Sequence, residues 1–226
     1  MNRPDLITRN IGITGMSSGE QMLGIDFRPA DNRLYGLGST SRIYVIDTAT
    51  AVATPVGAAF TPALAGAFFG FDFNPVVDRI RVHSTDEQNL RIVPTTGAVA
   101  AVDVGLSYAA GDPGAGANPD IVGTAYTNSV AGALTTTLYA IDRTRGTLVT
   151  LASPNDGQLT TVGSIGAVGV GTGFDIAGAD AFVTLQGGTL SSPASLYRID
   201  LATGAKTLVG AFPNGIGRVP GIAVTP

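Results

Sequence analysis

A short motif returns around this chain of 226 residues: Gly24-Ile25-Asp26-Phe27, Gly70-Phe71-Asp72-Phe73 and Gly173-Phe174-Asp175-Ile176, with weaker echoes at Gly123-Thr124-Ala125-Tyr126 and Gly221-Ile222-Ala223-Val224. The starts are 46, 53, 50 and 48 residues apart. A period of that size, filled with short alternating apolar runs, belongs to radial repeats whose unit is one four-stranded blade. The sequence therefore predicts an all-β, β-propeller-like fold, read as a single domain over residues 1–226.

The second half of each unit repeats too. Ile43-Tyr44-Val45-Ile46-Asp47, Leu138-Tyr139-Ala140-Ile141-Asp142 and Leu196-Tyr197-Arg198-Ile199-Asp200 each lead into a Thr/Gly turn, another strand and a Val-Gly pair. Alternate residues of such a run face opposite sides of a sheet. An Asp closing the strand accepts backbone hydrogen bonds of the turn that follows, so Asp47, Asp142 and Asp200 read as turn residues.

Counting blades is less direct. Motif-bearing strands number five, whereas complete repeat bodies number four, near 22–57, 70–104, 121–163 and 171–210. The runs Leu6–Ile11 and Val219–Val224 remain as half-units. The expectation is a five-bladed ring with an abbreviated closing blade shared by both ends, with four blades as the alternative; sharing would hide edges that otherwise seek partners. One short helix is expected over Thr61–Phe69, an Ala-rich stretch following Pro62.

Composition narrows the function classes. A net charge of -4, with 13 basic residues spread along the chain, supplies no basic stripe for nucleic acid. No apolar run is long enough to span a bilayer. Cysteine is absent, which removes disulfides, thiolate catalysis and Cys-based zinc sites. No signal-peptide core precedes the first repeat.

Catalytic signatures are equally sparse. His83 is the single histidine, so no multi-histidine metal site exists. Ser84 is its neighbour in sequence, which on a strand points it the other way. There is no Gly-x-Ser-x-Gly elbow. A metal-assisted hydrolase assembled from distant residues is the least favoured reading.

The least repetitive chemistry lies in the second unit. After the turn at Asn74-Pro75, a strand places Arg79, Arg81 and His83 on one face and Ile80 and Val82 on the other, with Asn89 and Arg91 on the next strand. Together with Asp72, Asp78, Asp86 and Glu87 these form either a structural ion network or an anion-recognition patch, because guanidinium offers a planar fork to carboxylates. The loop Tyr108–Asp120 joins Arg79, Arg81, His83, Asn89 and Arg91 as candidate ligand-binding elements.

Two places invite a metal. Gly111–Asp120 has glycines and oxygen ligands but lacks the Asp ladder and terminal Glu of an EF-hand, and a long turn closed by Pro119 explains it better; a structural calcium is the one cofactor the pattern admits. The first strand of a propeller blade lines the central channel, so Asp26, Asp72 and Asp175 could converge there. Like charges at close range require protons, arginines or a cation. The alternative is that these aspartates simply accept backbone hydrogen bonds from the adjacent blade.

Gly70–Gly97, Tyr108–Pro119 and Gly123–Asn128 together resemble a bacterial family known as domain of unknown function 4394, the similarity running from about Asn10 to Val224. The resemblance implies a propeller-like β domain of bacterial proteins, often exported or joined to other modules. It implies no catalytic activity and no binding residues.

The expected function is accordingly a non-catalytic binding or scaffolding module for an unknown protein or glycan, secreted or otherwise outside the cytoplasm. The alternative is a self-assembling structural module using intermolecular strand pairing, with a monomer slightly favoured over a homo-oligomer.

Overall fold

The structure, a computed structural model, describes residues 3–169, 172–186, 193–217 and 219–225. Its strands fall into four sheets. The first comprises β1 (Met22–Arg28), β2 (Arg33–Gly38), β3 (Arg42–Ile46) and β4 (Ala53–Val56). The second comprises β5 (Phe69–Asn74), β6 (Arg79–Ser84), β7 (Asn89–Ile92) and β8 (Val99–Val102). A two-residue strand, β9 (Ser107–Tyr108), lies parallel on the outer edge of the third sheet. That sheet is built from β10 (Ile121–Tyr126), β11 (Leu138–Asp142), β12 (Thr147–Leu151) and β13 (Gln158–Ser164). The fourth holds β14 (Phe174–Ala177), β15 (Asp180–Gln186), β16 (Ala194–Ile199) and β17 (Lys206–Ala211).

Within each sheet, consecutive strands pair antiparallel in chain order, which is the meander of a propeller blade. Turn chemistry makes the meander. Asp47 Oδ1 accepts the N–H groups of Ala49 and Thr50, each at 2.8 Å. Asp200 Oδ1 does the same for Ala202 and Thr203, and Asp142 Oδ1 accepts Arg145 N–H. The buried Asp142 also takes the Tyr108 hydroxyl at 2.7 Å, fixing β9 to its sheet.

The two largest core clusters lie between blades, and two smaller ones sit within the first and third. Tyr35, Leu37, Ile43 and Val45 of the first blade pack against Phe71, Phe73, Ile80 and Val82 of the second. Tyr35 meets Phe73 edge to face with centroids 5.2 Å apart. The third and fourth blades join in the same way, through Ile141 and Leu148 against Phe174 and Val183. Removing a side chain such as Phe73 from water stabilises this packing by roughly 1.5–3 kcal/mol.

The expected fifth, abbreviated blade is not there: the ring has four blades. Val219–Val224 forms no strand and joins no sheet, and neither does Leu6–Ile11. The reason is local. Pro213 and Pro220 lack the N–H that a ladder needs, and the glycines between them carry no side chain to pack. In the earlier segment, Leu6 and Ile7 are adjacent and so cannot share one face, and both are exposed.

Instead, the chain before β1 touches the fourth and first blades without forming a strand. Pro4 approaches Gly210 of β17, the Arg9 guanidinium donates to the carbonyls of Thr48 and Ala49, and Thr14 bridges to Val52 in parallel.

The helix expected over 61–69 is also absent. The N–H groups of Leu64, Ala65 and Ala67 are taken by side chains of Ser41, Gln88 and Thr85, and Gly66 sits at φ 113°, outside helical space. Among the described residues the one helical element is a 3₁₀ turn, Pro154–Asp156, and no helix is long and apolar enough to cross a membrane.

Candidate functional site

The repeated motif builds the axis. Its glycine is the position where each inner strand touches the next. A Cβ on Gly24 would lie 2.7 Å from Phe71 Cβ, one on Gly70 2.6 Å from Thr124 Cβ, and one on Gly123 2.9 Å from Phe174 Cβ. The series continues with Gly173, whose Cβ would meet Ile222 N at 2.7 Å. Gly24, Gly70, Gly123, Gly173 and Gly221 surround a central cavity of about 10 Å³, the lower limit for a single water.

Two residues further on, β1, β5 and β14 present Asp26, Asp72 and Asp175. All three are buried, and carboxylate oxygens from each lie within 4.8 Å of one another. Each carboxylate reaches the next motif in the ring: Asp26 Oδ2 accepts Phe73 N–H at 2.9 Å, Asp72 Oδ1 accepts Tyr126 N–H at 3.0 Å, and Asp175 Oδ2 accepts Val224 N–H at 2.6 Å.

The two alanines in the series now have a structural consequence. Where Ala125 stands in place of Asp, the following N–H, that of Ile176, turns to Asp175 Oδ1 of its own motif at 2.6 Å. After Ala223, Phe27 N–H likewise turns to its own Asp26 Oδ1 at 2.7 Å. Three carboxylates thereby satisfy five buried or partly buried N–H groups around the axis.

The electrostatic cost is plain in the acidities. Burial, and then the charge of Asp175, push Asp26 well above the usual carboxylate range. Burial also raises Asp72, with Asp26 and Asp175 adding to it, and burial lifts Asp175 to about 6 against the opposing N–H bonds of Val224 and Ile176. No arginine or lysine pairs with the three among the described residues. The oxygens are close enough together to share protons or a single cation.

The second candidate set is also drawn together, but inside the protein. Asp72 and Arg81 are register partners, as are Gly70 and His83, so this face of the second blade turns toward the third. Arg81 is 2% exposed and donates to Asn89 Oδ1 and Asp103 Oδ2, both at 2.6 Å, to Asn155 Oδ1 at 2.9 Å and to the Tyr126 hydroxyl at 3.3 Å. Asn89 donates onward to the carbonyls of Val104 and Pro154. His83 Nδ1 meets Thr124 Oγ1 at 2.8 Å, while its buried Nε2 has no partner. Burial, with help from the Arg81 charge, lowers the imidazole to about 3, so the ring is neutral.

Arg91 is partly exposed and doubly bonded to Asp103, and Arg79 donates to the carbonyls of Val77 and Asp78. Asp78 itself pairs with Arg28 of the first blade. Asp103, Asn155, Thr124 and Tyr126 complete the network; the sequence marks Thr124 and Tyr126 only as a motif echo and gives none of the four a place in it. Tyr126 sits in a motif echo, which is a signal; Asp103 and Asn155 lie in connections with no repeat counterpart.

The loop Tyr108–Asp120 spends its acidic groups on the chain. Asp112 accepts Gly114 N–H, Thr161 N–H and the Thr161 hydroxyl, and Asp120 pairs with Arg143. Each is committed before any cation is considered.

Comparison with known proteins adds the following. No curated protein matches the chain significantly. Among solved structures, it is similar to PorZ, a bacterial surface component of the type-IX secretion system of Porphyromonas gingivalis, with 14% identity and a TM-score of 0.46 over 83% of this chain and 22% of that one. It is also similar to the computationally designed Ika8 protein, with 9% identity and a TM-score of 0.40 over 91% of this chain and 65% of that one. The chain thus spans about a fifth of the length of PorZ and just under two thirds of Ika8. Residues 1–223 match the sequence profile described as a domain of unknown function, DUF4394, and the chain belongs to that family.

Proposed function

We propose that this propeller is a non-catalytic binding or scaffolding module whose partner is a protein or a glycan. One observation carries the reading: the side chains with catalytic chemistry, His83, Arg81 and the three axial aspartates, are buried and hydrogen-bonded across blade boundaries. Groups so placed hold a ring together. A ligand reaching Arg81, His83 or Asn89 would first have to part the second blade from the third.

Recognition then falls to the partly exposed Arg79 and Arg91 and to the loop Tyr108–Asp120, much of it exposed. Loops on a rigid β scaffold are the usual carriers of binding. A location outside the cytoplasm belongs to the same proposal. Glycan and peptide arrays probed with the intact chain test it: signals lost in Arg91→Ala support the reading, and arrays no brighter than controls overturn it. Turnover of any glycan or ester in a hydrolase panel, with or without divalent metals, would replace it with an enzyme.

In this reading the axial triad holds protons. Its oxygens already receive five N–H bonds, and no fourth carboxylate or imidazole joins it among the described residues, whereas calcium takes about six to eight oxygens. Calcium retained in equilibrium dialysis, and lost in Asp72→Asn, would put a cation in the protons' place and leave the binding role intact.

A further inference from the structure

The fourth and first blades are joined at the axis by a segment that is not part of either. Residues 219–225 lie between β14 and β1 without pairing to them as a strand, and Val219–Val224 are each half-buried. The hydrogen bonds that hold them in this seat go to their backbone. Asp175 Oδ2 takes Val224 N–H at 2.6 Å, and the Thr184 hydroxyl donates to Val219 O at 2.9 Å. Gly173 gives room for the backbone of Gly221 and Ile222, and a Cβ on Gly221 would stand 3.2 Å from Ile25 N.

Upstream, the segment is tied to β16 by two bonds, Phe212 N–H to Ala194 O and Ala194 N–H to Ile216 O, both at 2.8 Å. Between those ties lies Pro213-Asn214-Gly215, with Asn214 and Gly215 exposed and Gly215 at φ 94°. That conformation suits glycine and can change without loss of a packed side chain.

We infer that this seat is an acceptor site, exchangeable between copies of the chain, in which the segment that follows the hinge of one copy occupies the groove between β1 and β14 of another. Every group that forms the seat, Gly24, Ile25, Gly173, Asp175 and Thr184, belongs to the body of the blades. An incoming copy of the segment therefore makes the same contacts that the outgoing one gives up, and the balance is set by concentration and by the hinge at 213–215. Sequence selectivity rests on two features of the occupant: a glycine at 221 and a free N–H at 224.

The test uses the full-length chain and a fluorescent synthetic peptide of residues 212–225. The wild-type peptide is expected to be taken up on warming, read as a rise in anisotropy, and a peptide carrying Gly221→Val is expected to fail. A full-length chain with Val224→Pro keeps its seat but loses the N–H that reaches Asp175, so its uptake of wild-type peptide is expected to rise roughly tenfold. Light scattering of the unmodified chain is expected to show a two-copy species whose share grows with concentration. No uptake of either peptide overturns the proposal, and equal uptake of both assigns the signal to non-specific adhesion and overturns it too. A strictly single-copy mass at high concentration overturns exchange between copies even where peptide binds. Should Val224→Pro fail to fold, the two peptides against the unmodified chain still decide.

Discussion

Asp175 receives the N–H of Val224 at 2.6 Å and that of its own neighbour Ile176 at the same distance, so one carboxylate of the fourth blade both satisfies its own strand and fastens the segment that completes the ring. The same double duty falls to Asp26, with Phe27 and Phe73. The axial aspartates are thus hydrogen-bond acceptors first and charges second. Their stability effects follow from that order.

The triad makes the protein more stable in mild acid than in base. An unfolded Asp titrates near about 3.9, whereas in the fold burial lifts Asp175 to about 6 and holds Asp26 and Asp72 well above their usual range. The folded state therefore binds more protons across this window. The contribution is fully present below about pH 4 and is lost as pH rises through 6 and beyond. Urea midpoints measured in chelator should fall from pH 6 to pH 8. Asp72→Asn, which keeps an oxygen for Tyr126 N–H and removes one charge, should flatten that slope and raise the midpoint at pH 8. An unchanged slope would place the titration elsewhere.

His83 acts with the opposite sign. Its folded value near 3 lies below the unfolded value of about 6.5, so the unfolded chain binds the extra proton between them. Stability from this residue is present above pH 6.5 and is lost as pH falls toward 3. The two trends oppose each other, but three carboxylates outweigh one imidazole, so between about pH 4 and 6 the wild type should lose stability as pH rises, less steeply than the triad alone would make it. In His83→Gln that fall should steepen between about pH 4 and 6, while the slope above about pH 7 stays. Midpoints at five pH values suffice to see it.

Arg81 and Arg91 share Asp103 yet should differ sharply in weight. Arg81 is buried with four partners, two of them, Tyr126 and Asn155, in the third blade. Arg81→Met leaves Asp103, Asn89 and Asn155 short of a donor in a dry interface, and a loss of about 3–5 kcal/mol is expected. Arg91 is about a third exposed and makes a surface-type pair, for which Arg91→Met should cost about 1 kcal/mol or less. Chemical denaturation of both variants checks the ratio.

The blades were legible in the sequence because each of their devices is local. The glycine and the aspartate of the motif, the Asp-initiated turn and the alternation in Ile43–Asp47 all act within a few residues, and they placed four repeat bodies close to the observed sheets. Closure was not legible, because it depends on what fails to form. Motif echoes at Gly221 and Ala223 look like a strand, and the segment does take the motif's place at the axis, but proline and glycine on either side leave it without a ladder. At the candidate site, the convergence of Asp26, Asp72 and Asp175 follows from ring symmetry. The partners of Arg81 do not: Asp103 arrives from the connection after β8, held by its N–H to Asn89 O, and Asn155 from the turn between β12 and β13, which only the packing of two blades brings within reach.

The glycine ring gives the sharpest single-site prediction. A methyl group at Gly70 would meet Thr124 Cβ and Oγ1 at 2.6 Å and the Thr124 backbone N at 2.8 Å, so β10 must move away from β5. That movement strikes two other contacts at once, Tyr126 N–H to Asp72 and Thr124 Oγ1 to His83. Gly70→Ala should therefore destabilise by about 1–3 kcal/mol, the range for overpacking a tight interior. Gly12→Ala, with nothing within 4 Å and an ordinary φ, serves as the control and should stay within about 0.5 kcal/mol of wild type. Trimming the neighbour is not expected to rescue the change: in Gly70→Ala/Thr124→Ala the Oγ1 contact is gone, but the Cβ and the backbone nitrogen of residue 124 stay in place and His83 loses its hydroxyl partner. A double variant as stable as wild type would mean that β5 and β10 can slide past one another, and the axis would then be looser than the hydrogen bonds of Asp26, Asp72 and Asp175 require.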